Sequence, residues 1–264
     1  MSVCVFKRYE LKYLLDLRQY SAFCEKAKQY LTPDEYGQTA VQSLYYDSPD
    51  SLLIRRSLER PEYKEKLRLR SYGLVSGDEK AFLELKKKCY GVVFKRRISS
   101  SYEKLFNLEL GSGQIDKEIE YFLLFYNDLQ PKTLIIYDRT AYKGEDDLRV
   151  TFDKNVRYRT ERLSLSAGLD GTLILPEDKV LMEIKIGSAM PLWIAKILSE
   201  LKIYKTTFSK YGEAYKKEFF AAKNNSPVQL PARNEVEIFG GAESYRQLQS
   251  AELLNNIAEV KKVG

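Results

Sequence analysis

The chain contains no histidine. That absence removes a phosphohistidine intermediate, a histidine-based catalytic triad and any imidazole-ligated metal. Cysteine is scarce: Cys4, Cys24 and Cys89 are the only three. None has metal-ligand spacing, and an odd count argues against a disulfide framework. A reducing, cytoplasmic setting is the expectation. No apolar run approaches the roughly 18 residues of a spanning helix, and no signal peptide is visible. No transmembrane segment is therefore expected, while association with a membrane-bound partner and the oligomeric state stay open. Chemistry is left to Lys, Arg, carboxylates, Tyr, Ser or a hard metal.

What is present is charge and an ample core. Of 264 residues, 44% are hydrophobic and 30% charged, with a net charge of +6. The stretch 223–264 holds five basic and five acidic residues, so the whole excess falls on residues 1–222. A partner drawn by that charge is anionic and meets those residues. An excess this mild does not by itself imply nucleic acid.

Periodicity divides the chain into many strands and several helices. A strand is expected over Val3–Leu15, then Asp16 as the N-cap of a helix over Leu17–Leu31, closed before Pro33. A short strand at Gln42–Tyr46 precedes a helix from Ser48-Pro49 to about Arg60. Alternating runs at Tyr63–Tyr72, Lys80–Lys88 and Gly91–Ser99 suggest an antiparallel meander. Helices follow over 101–111 and 114–129, then strands at Lys132–Lys143, Leu148–Asp153, Val156–Leu163 and Val180–Ile186, then helices over 189–203 and 208–222. Residues 223–243 look like a linker and 244–261 like a weak helix.

The direction of the charges carries the functional argument. Residues two apart in a strand share a face. Lys66, Arg68 and Arg70 share one against Leu67 and Leu69, and Glu84, Lys86 and Lys88 share one against Leu83 and Leu85. Lys95 with Arg97, Tyr137 with Arg139, Arg149, and Glu183 with Lys185 continue the pattern. A wet outer face would explain any single strand. Taken together these faces are dominated by cations, and solvent faces usually mix signs. If the amphipathic helices cover the aliphatic faces, the charges point inward and line a tunnel. A cationic tunnel suits a phosphate chain, which Arg grips bidentately and Lys meets as a point charge. A Glu among these cations suits Mg²⁺ or Mn²⁺, which take oxygen ligands and bridge phosphates.

Nine segments in order also resemble the VTC domain family of the triphosphate tunnel metalloenzymes: RYELKYLL (8–15), LYYDSPD (44–50), KLRLRSYG (66–73), FLELKKK (82–88), VVFKRRIS (92–99), YDRTAYKG (137–144), LRVTFD (148–153), LMEIKIG (181–187) and FSKYGEAY (208–215). No single segment is specific; their order is. The resemblance implies an α+β fold, an antiparallel β-barrel tunnel with flanking helices, formed by residues 1–222. It implies a metal-dependent polyphosphate polymerase that moves the γ-phosphate of ATP onto a polyphosphate chain. Arg68 and Arg70 would grip nucleotide phosphates, with Lys86 and Lys185 also catalytic. Lys12, Lys66, Lys95, Arg139 and Arg149 would line the tunnel, and Ser209 and Lys210 would meet phosphate at the start of the last helix. Glu183 would be the main ligand of Mn²⁺ or Mg²⁺, with Glu10 and Glu84 beside it. The first motif carries a single Glu, which favours a polymerase over the family's hydrolytic relatives. A tunnel phosphohydrolase, a non-catalytic polyanion sensor and, more weakly, a nucleic-acid binder remain as alternatives, although no nucleic acid is expected. Tyr45 and Tyr46 are candidates to stack a base, and Trp193 belongs to the core.

Overall fold

The computed structural model describes residues 9–90, 92–187 and 189–225. The strand residues expected before Tyr9, and the linker and weak helix from 226 onward, lie outside them. In chain order the elements are β1 (Tyr9–Asp16), α1 (Leu17–Ala27), β2 (Thr32–Asp47), α2 (Leu52–Leu58), β3 (Tyr63–Tyr72), β4 (Lys80–Cys89), β5 (Val92–Ser101), α3 (Tyr102–Phe106), α4 (Gln114–Tyr126), β6 (Gln130–Lys143), β7 (Arg149–Arg159), β8 (Thr172–Leu173), β9 (Lys179–Ile186), α5 (Leu192–Glu200), β10 (Lys205–Thr206) and α6 (Lys210–Asn225).

All described strands join one antiparallel sheet in the order β10-β1-β9-β7-β6-β2-β3-β4-β5, with β8 paired to β7. The end strands β10 and β5 do not pair with each other, so among the described residues hydrogen bonds do not close the sheet. It curls nonetheless. Glu10 on β1 and Lys86 on β4 face one cavity, although five strands lie between theirs in the sheet. No helix among the described residues is long and apolar enough to cross a membrane.

The outer aliphatic faces are covered as their alternation requires. Tyr13, Leu15, Val150, Phe152, Met182 and Ile184 pack with Phe23 of α1 and Ile194, Ile197 and Leu198 of α5. Leu67, Leu69, Leu83, Leu85, Leu134 and Ile136 pack with Leu105 of α3 and Ile119 and Phe122 of α4. Each fully buried Leu, Ile or Phe contributes about 1.5–3 kcal/mol, and that one-sided burial turns the intervening charged residues inward. A third cluster fills part of the interior, bringing Tyr45, Ile135 and Tyr137 of the sheet against Ile54 of α2 and Tyr211 and Ala214 of α6.

Several expected boundaries move, each for a local reason. Asp16 does cap α1: it accepts from Gln19 N at 2.7 Å, and Gln19 Oε1 accepts from Asp16 N at 3.1 Å. The helix ends at Ala27, however, and Pro33 is the second residue of a 16-residue strand, β2, rather than the stop of a helix. The two strands expected at Leu148–Asp153 and Val156–Leu163 are one, β7; its register against β6 shifts between Ile136 and Asp138, where Asn155 takes a positive φ of 48°. Asn tolerates that left-handed conformation, so the apparent turn is a bulge. The last helix runs on to Asn225. The two-residue strands β8 and β10 are too short for periodicity to register.

Asp47 locks α2 and α6 together. Its carboxylate accepts from the backbone N–H groups of Ser48 (2.9 Å), Leu53 (2.8 Å) and Ile54 (3.0 Å) and from Tyr211 Oη (2.8 Å). It is fully buried, and burial raises its pKa above the ordinary carboxylate value. We expect Asp47→Ala to lower the unfolding free energy by roughly 2–4 kcal/mol, because three N–H groups and a phenol are orphaned in the interior. A urea titration showing less than about 1 kcal/mol would mean that those donors find other partners.

Candidate functional site

The curled sheet and the start of α6 enclose a cavity of about 150 Å³. Its walls are Glu10 and Lys12 (β1), Ser43 and Tyr45 (β2), Lys66, Arg68 and Arg70 (β3), Lys86 (β4), Ile135, Tyr137 and Arg139 (β6), Glu183 and Lys185 (β9), and Ser209 and Lys210. Eight cationic side chains from five strands and one helix meet two carboxylates there. Alternation explains the convergence: cross-strand partners Glu10↔Lys185 and Lys12↔Glu183 point to one face, while Leu11 and Ile184 point to the other.

Two buried carboxylates outside this count hold the cations in place. Glu84, 1% exposed, receives Arg68 Nε at 2.8 Å, Arg70 at 3.6 Å, Lys95 Nζ at 2.6 Å and Arg97 Nε at 2.7 Å. Asp153, also buried, receives Arg139 Nε at 2.6 Å and Lys210 Nζ at 2.6 Å. Glu183 joins the second group, accepting from Lys210 Nζ at 3.1 Å and Arg139 at 3.2 Å, with Lys12 Nζ at 3.6 Å. Arg139 and Lys210 also lie over the Tyr137 ring, at 5.0 and 4.6 Å from its centre.

Burial and crowding set the protonation states. Burial would raise the Glu183 pKa, but Lys210, Lys12 and Arg139 hold it well below the carboxylate range. Burial likewise works against Glu84, and Arg68, Arg70 and Lys95 overcome it. Lys66 is pushed down to about 8, chiefly by burial. Lys185 also falls to about 8, where burial outweighs the pull of Glu183 and Glu10. The Tyr45 phenol, which burial alone would raise, is drawn down to about 8 by Arg68, Lys66 and Arg70.

Most residues singled out from sequence meet at this cavity, and three do not line it. Lys95 sits on the end strand β5 with its side chain 43% exposed and is drawn to Glu84. Arg149 lies at the start of β7, reaching Asp34 at 2.7 Å with its side chain 40% exposed. Glu84 stands behind Arg68 with both oxygens engaged by cations, an arrangement that suits an anchor for arginines better than a metal ligand. Tyr45 is covered by Tyr211, stacked at 4.4 Å, and Tyr46 is buried on the outer face, so neither presents a ring to a base. Trp193 packs partly buried against the first core and stacks on Tyr30 at 4.4 Å. Asp153 escaped the sequence reading; two residues on from Thr151, it was legible as a carboxylate on the Arg149 face. Ser43, which accepts from Arg70 at 3.2 Å, carries no sequence signal.

Solved structures with similar traces include a Vibrio parahaemolyticus protein described as an adenylate cyclase candidate, at 13% identity, TM-score 0.43, covering 79% of this chain and 97% of that one. A Hippeastrum protein described as an adenylyl cyclase candidate with a dominant triphosphatase activity is 14% identical, with TM-score 0.45, over 87% of this chain and all of the other. A Pyrococcus horikoshii OT3 protein is 16% identical, with TM-score 0.43, over 80% of this chain and 99% of its own. No curated protein matches the sequence. The VTC domain matches over residues 7–219, so the nine segments, the inward-facing cations and the curled antiparallel sheet belong together: the chain is a member of the VTC domain family.

Proposed function

We propose that residues 1–222 form a polyphosphate polymerase-like phosphotransferase and that residues 223–264 are a linker and tail. The observation that carries this reading is the convergence of eight cations on one enclosed cavity. Like charges gathered in a buried site repel until an anion fills it. A linear phosphate chain supplies charge at each repeat without demanding apolar contact, and an enclosed cavity favours it over a nucleic-acid duplex.

The reaction needs little covalent help from the protein. An anionic terminal oxygen of the acceptor chain attacks the γ-phosphorus of ATP; the new P–O bond forms as the bond to the β–γ bridging oxygen breaks, and ADP leaves with that electron pair. No proton has to be removed from the nucleophile, so a chain without histidine can perform it. Arg68 and Arg70 grip the donor phosphates, while Lys12, Lys86, Arg139, Lys185 and Lys210 hold donor and acceptor in line and offset developing charge. Ser209, within 3.4 Å of Lys66 Nζ, sits just before α6, where backbone N–H groups favour an anion.

The donor set fits a hard divalent cation held partly by substrate. Among the described residues no group of three or more His, Cys, Asp and Glu could hold a metal. Glu10 and Glu183 nevertheless flank one Lys12 ammonium at 3.5 and 3.6 Å, a spacing in which a cation is shared by two carboxylates. With phosphate oxygens and water completing the shell, that is a usual arrangement for Mg²⁺ or Mn²⁺. Held there by Glu10 and Glu183, such an ion would supply neutralisation of the charge on the phosphates.

The test is incubation with ATP and Mn²⁺ or Mg²⁺. Long phosphate chains on a gel support the polymerase. Release of orthophosphate alone points to a hydrolase, and tight binding without turnover to a sensor; either result overturns the proposal. A pH series adds a second check. Lys66 and Lys185 titrate near 8 in the free protein, and a bound polyanion raises both values, so binding takes up protons above that pH. Affinity for inorganic tripolyphosphate should hold at pH 7 and fall from pH 8 to 9.5, with a slope of up to about two log units per pH unit. A flat profile over that range would show that these lysines do not face the anion.

A further inference from the structure

The inner face of β3 does not end with its cations. Lys66, Arg68 and Arg70 are followed two residues on by Tyr72, at the end of the strand. Across the ladder, Arg70 pairs with Phe82 of β4, and Glu84 of β4 pairs with Arg97 of β5. The side chains gather accordingly. The Tyr72 and Phe82 rings meet edge to face at 5.8 Å, and the Arg97 guanidinium lies over Phe82 at 4.5 Å and donates to Tyr72 Oη at 3.5 Å. Tyr72 is 43% exposed, Phe82 half-buried. Tyr72 thus sits one strand step, about 6.8 Å, beyond Arg70, with the Phe82 ring, level with Arg70 on the next strand, and the Arg97 guanidinium gathered against it.

Aromatic rings on the cationic face of a phosphate site have no use for phosphate. Leu67, Leu69, Leu83 and Leu85 pack into a core on the opposite face of β3 and β4, and neither ring belongs to it. A flat, polarizable group attached to a phosphate chain fits them: rings and guanidinium planes stack bases without needing a particular sequence of donors. The order cation, cation, aromatic along one strand face matches the order phosphate, phosphate, base in a nucleotide.

We propose that Tyr72, with Phe82 and Arg97, is a nucleobase-stacking platform just outside the cavity, next to its lining residue Arg70, so that a nucleoside triphosphate lies with its base beside Tyr72 and its phosphates running inward past Arg70 and Arg68. This rests on the proposed phosphate-binding role of the cavity and adds the residues that meet the base and the direction in which the nucleotide lies. The assignment also accounts for Tyr45 and Tyr46 both being covered: the site's base-facing ring lies at the strand's end.

Calorimetric titration with two probes, ATP and inorganic tripolyphosphate in Mg²⁺ buffer, tests it. Replacing Tyr72 by Ala should weaken ATP binding by about 5- to 100-fold, the usual cost of one lost base stack, and leave tripolyphosphate within about twofold. Tyr72→Phe keeps the ring and should retain ATP affinity. Equal losses for both probes, or none for ATP, overturn the platform while leaving the phosphate site standing. Wild-type protein that binds neither probe overturns both readings. Circular dichroism of each variant separates a folding defect from a lost contact. If Tyr72→Ala does not fold, Arg97→Gln serves instead, and a loss for ATP no greater than for tripolyphosphate would then sink the proposal.

Discussion

Replacing Glu183 by alanine is expected to reduce turnover by at least about 10²- to 10³-fold, the scale on which a single charge-stabilising group is lost from an active site. Glu183 is the buried carboxylate at which Lys12, Arg139 and Lys210 meet, and it faces the cavity beside Glu10. At the proposed metal position, a divalent ion would lose one of two protein oxygens without it. Affinity for tripolyphosphate should change far less, by under about tenfold, because a cavity with one fewer negative charge attracts anions at least as well. The pattern to measure is therefore turnover lost with polyanion binding kept. Normal turnover in this variant would remove Glu183 from the chemistry and with it the proposed metal position.

The second large effect is on stability. Glu84→Gln leaves Arg68, Arg70, Lys95 and Arg97 facing one another without their shared counter-charge. Removing one partner from a buried pair costs about 3–5 kcal/mol; the partial exposure of Lys95 and Arg97 pulls the figure toward the lower end. In a chain of this size that is a fall in Tm of roughly 6–15 °C. Its pH dependence has a definite sign. The Glu84 pKa is depressed in the folded state, so its contribution is fully present above the unfolded value of about 4.3. That contribution is lost as pH falls through the folded value, and the gap between wild type and variant should narrow at acid pH. Tripolyphosphate should restore part of the lost Tm by replacing the missing negative charge. Thermal denaturation with and without that anion reads all three effects, and an unchanged Tm at pH 7 would show that Glu84 is no anchor.

Much of this site can be read from alternation alone. In KLRLRSYG and FLELKKK the period of two separates cations from leucines, and the cores show that the leucines face helices. The step from an outward to an inward charged face needed only the observation that the helices are amphipathic. Other features were not legible. Alternation tells which face a residue takes but not how far along the strand or how near the sheet's end it lies, which is why Lys95 and Arg149 reach other carboxylates. Nor does it show that one carboxylate is walled off by four cations, so Glu84 read like Glu183. Asn155 hid the continuity of β7, since a bulge and a turn share the same residue preferences. The neighbour relation of β1 and β9, separated by most of the chain, is a product of tertiary packing that no local pattern encodes.

The β1–β9 ladder has one more implication. Its bonds set Glu10, Lys12, Glu183 and Lys185 as a checkerboard whose reverse side is Leu11, Tyr13, Met182 and Ile184. A slip of β1 by one position would swing its charges into grease and its grease among the charges, two penalties at once. Mispaired forms of this N-terminal strand are thus disfavoured from both sides, and correct docking of β1 is the event that completes the wall carrying Glu10 and Lys12.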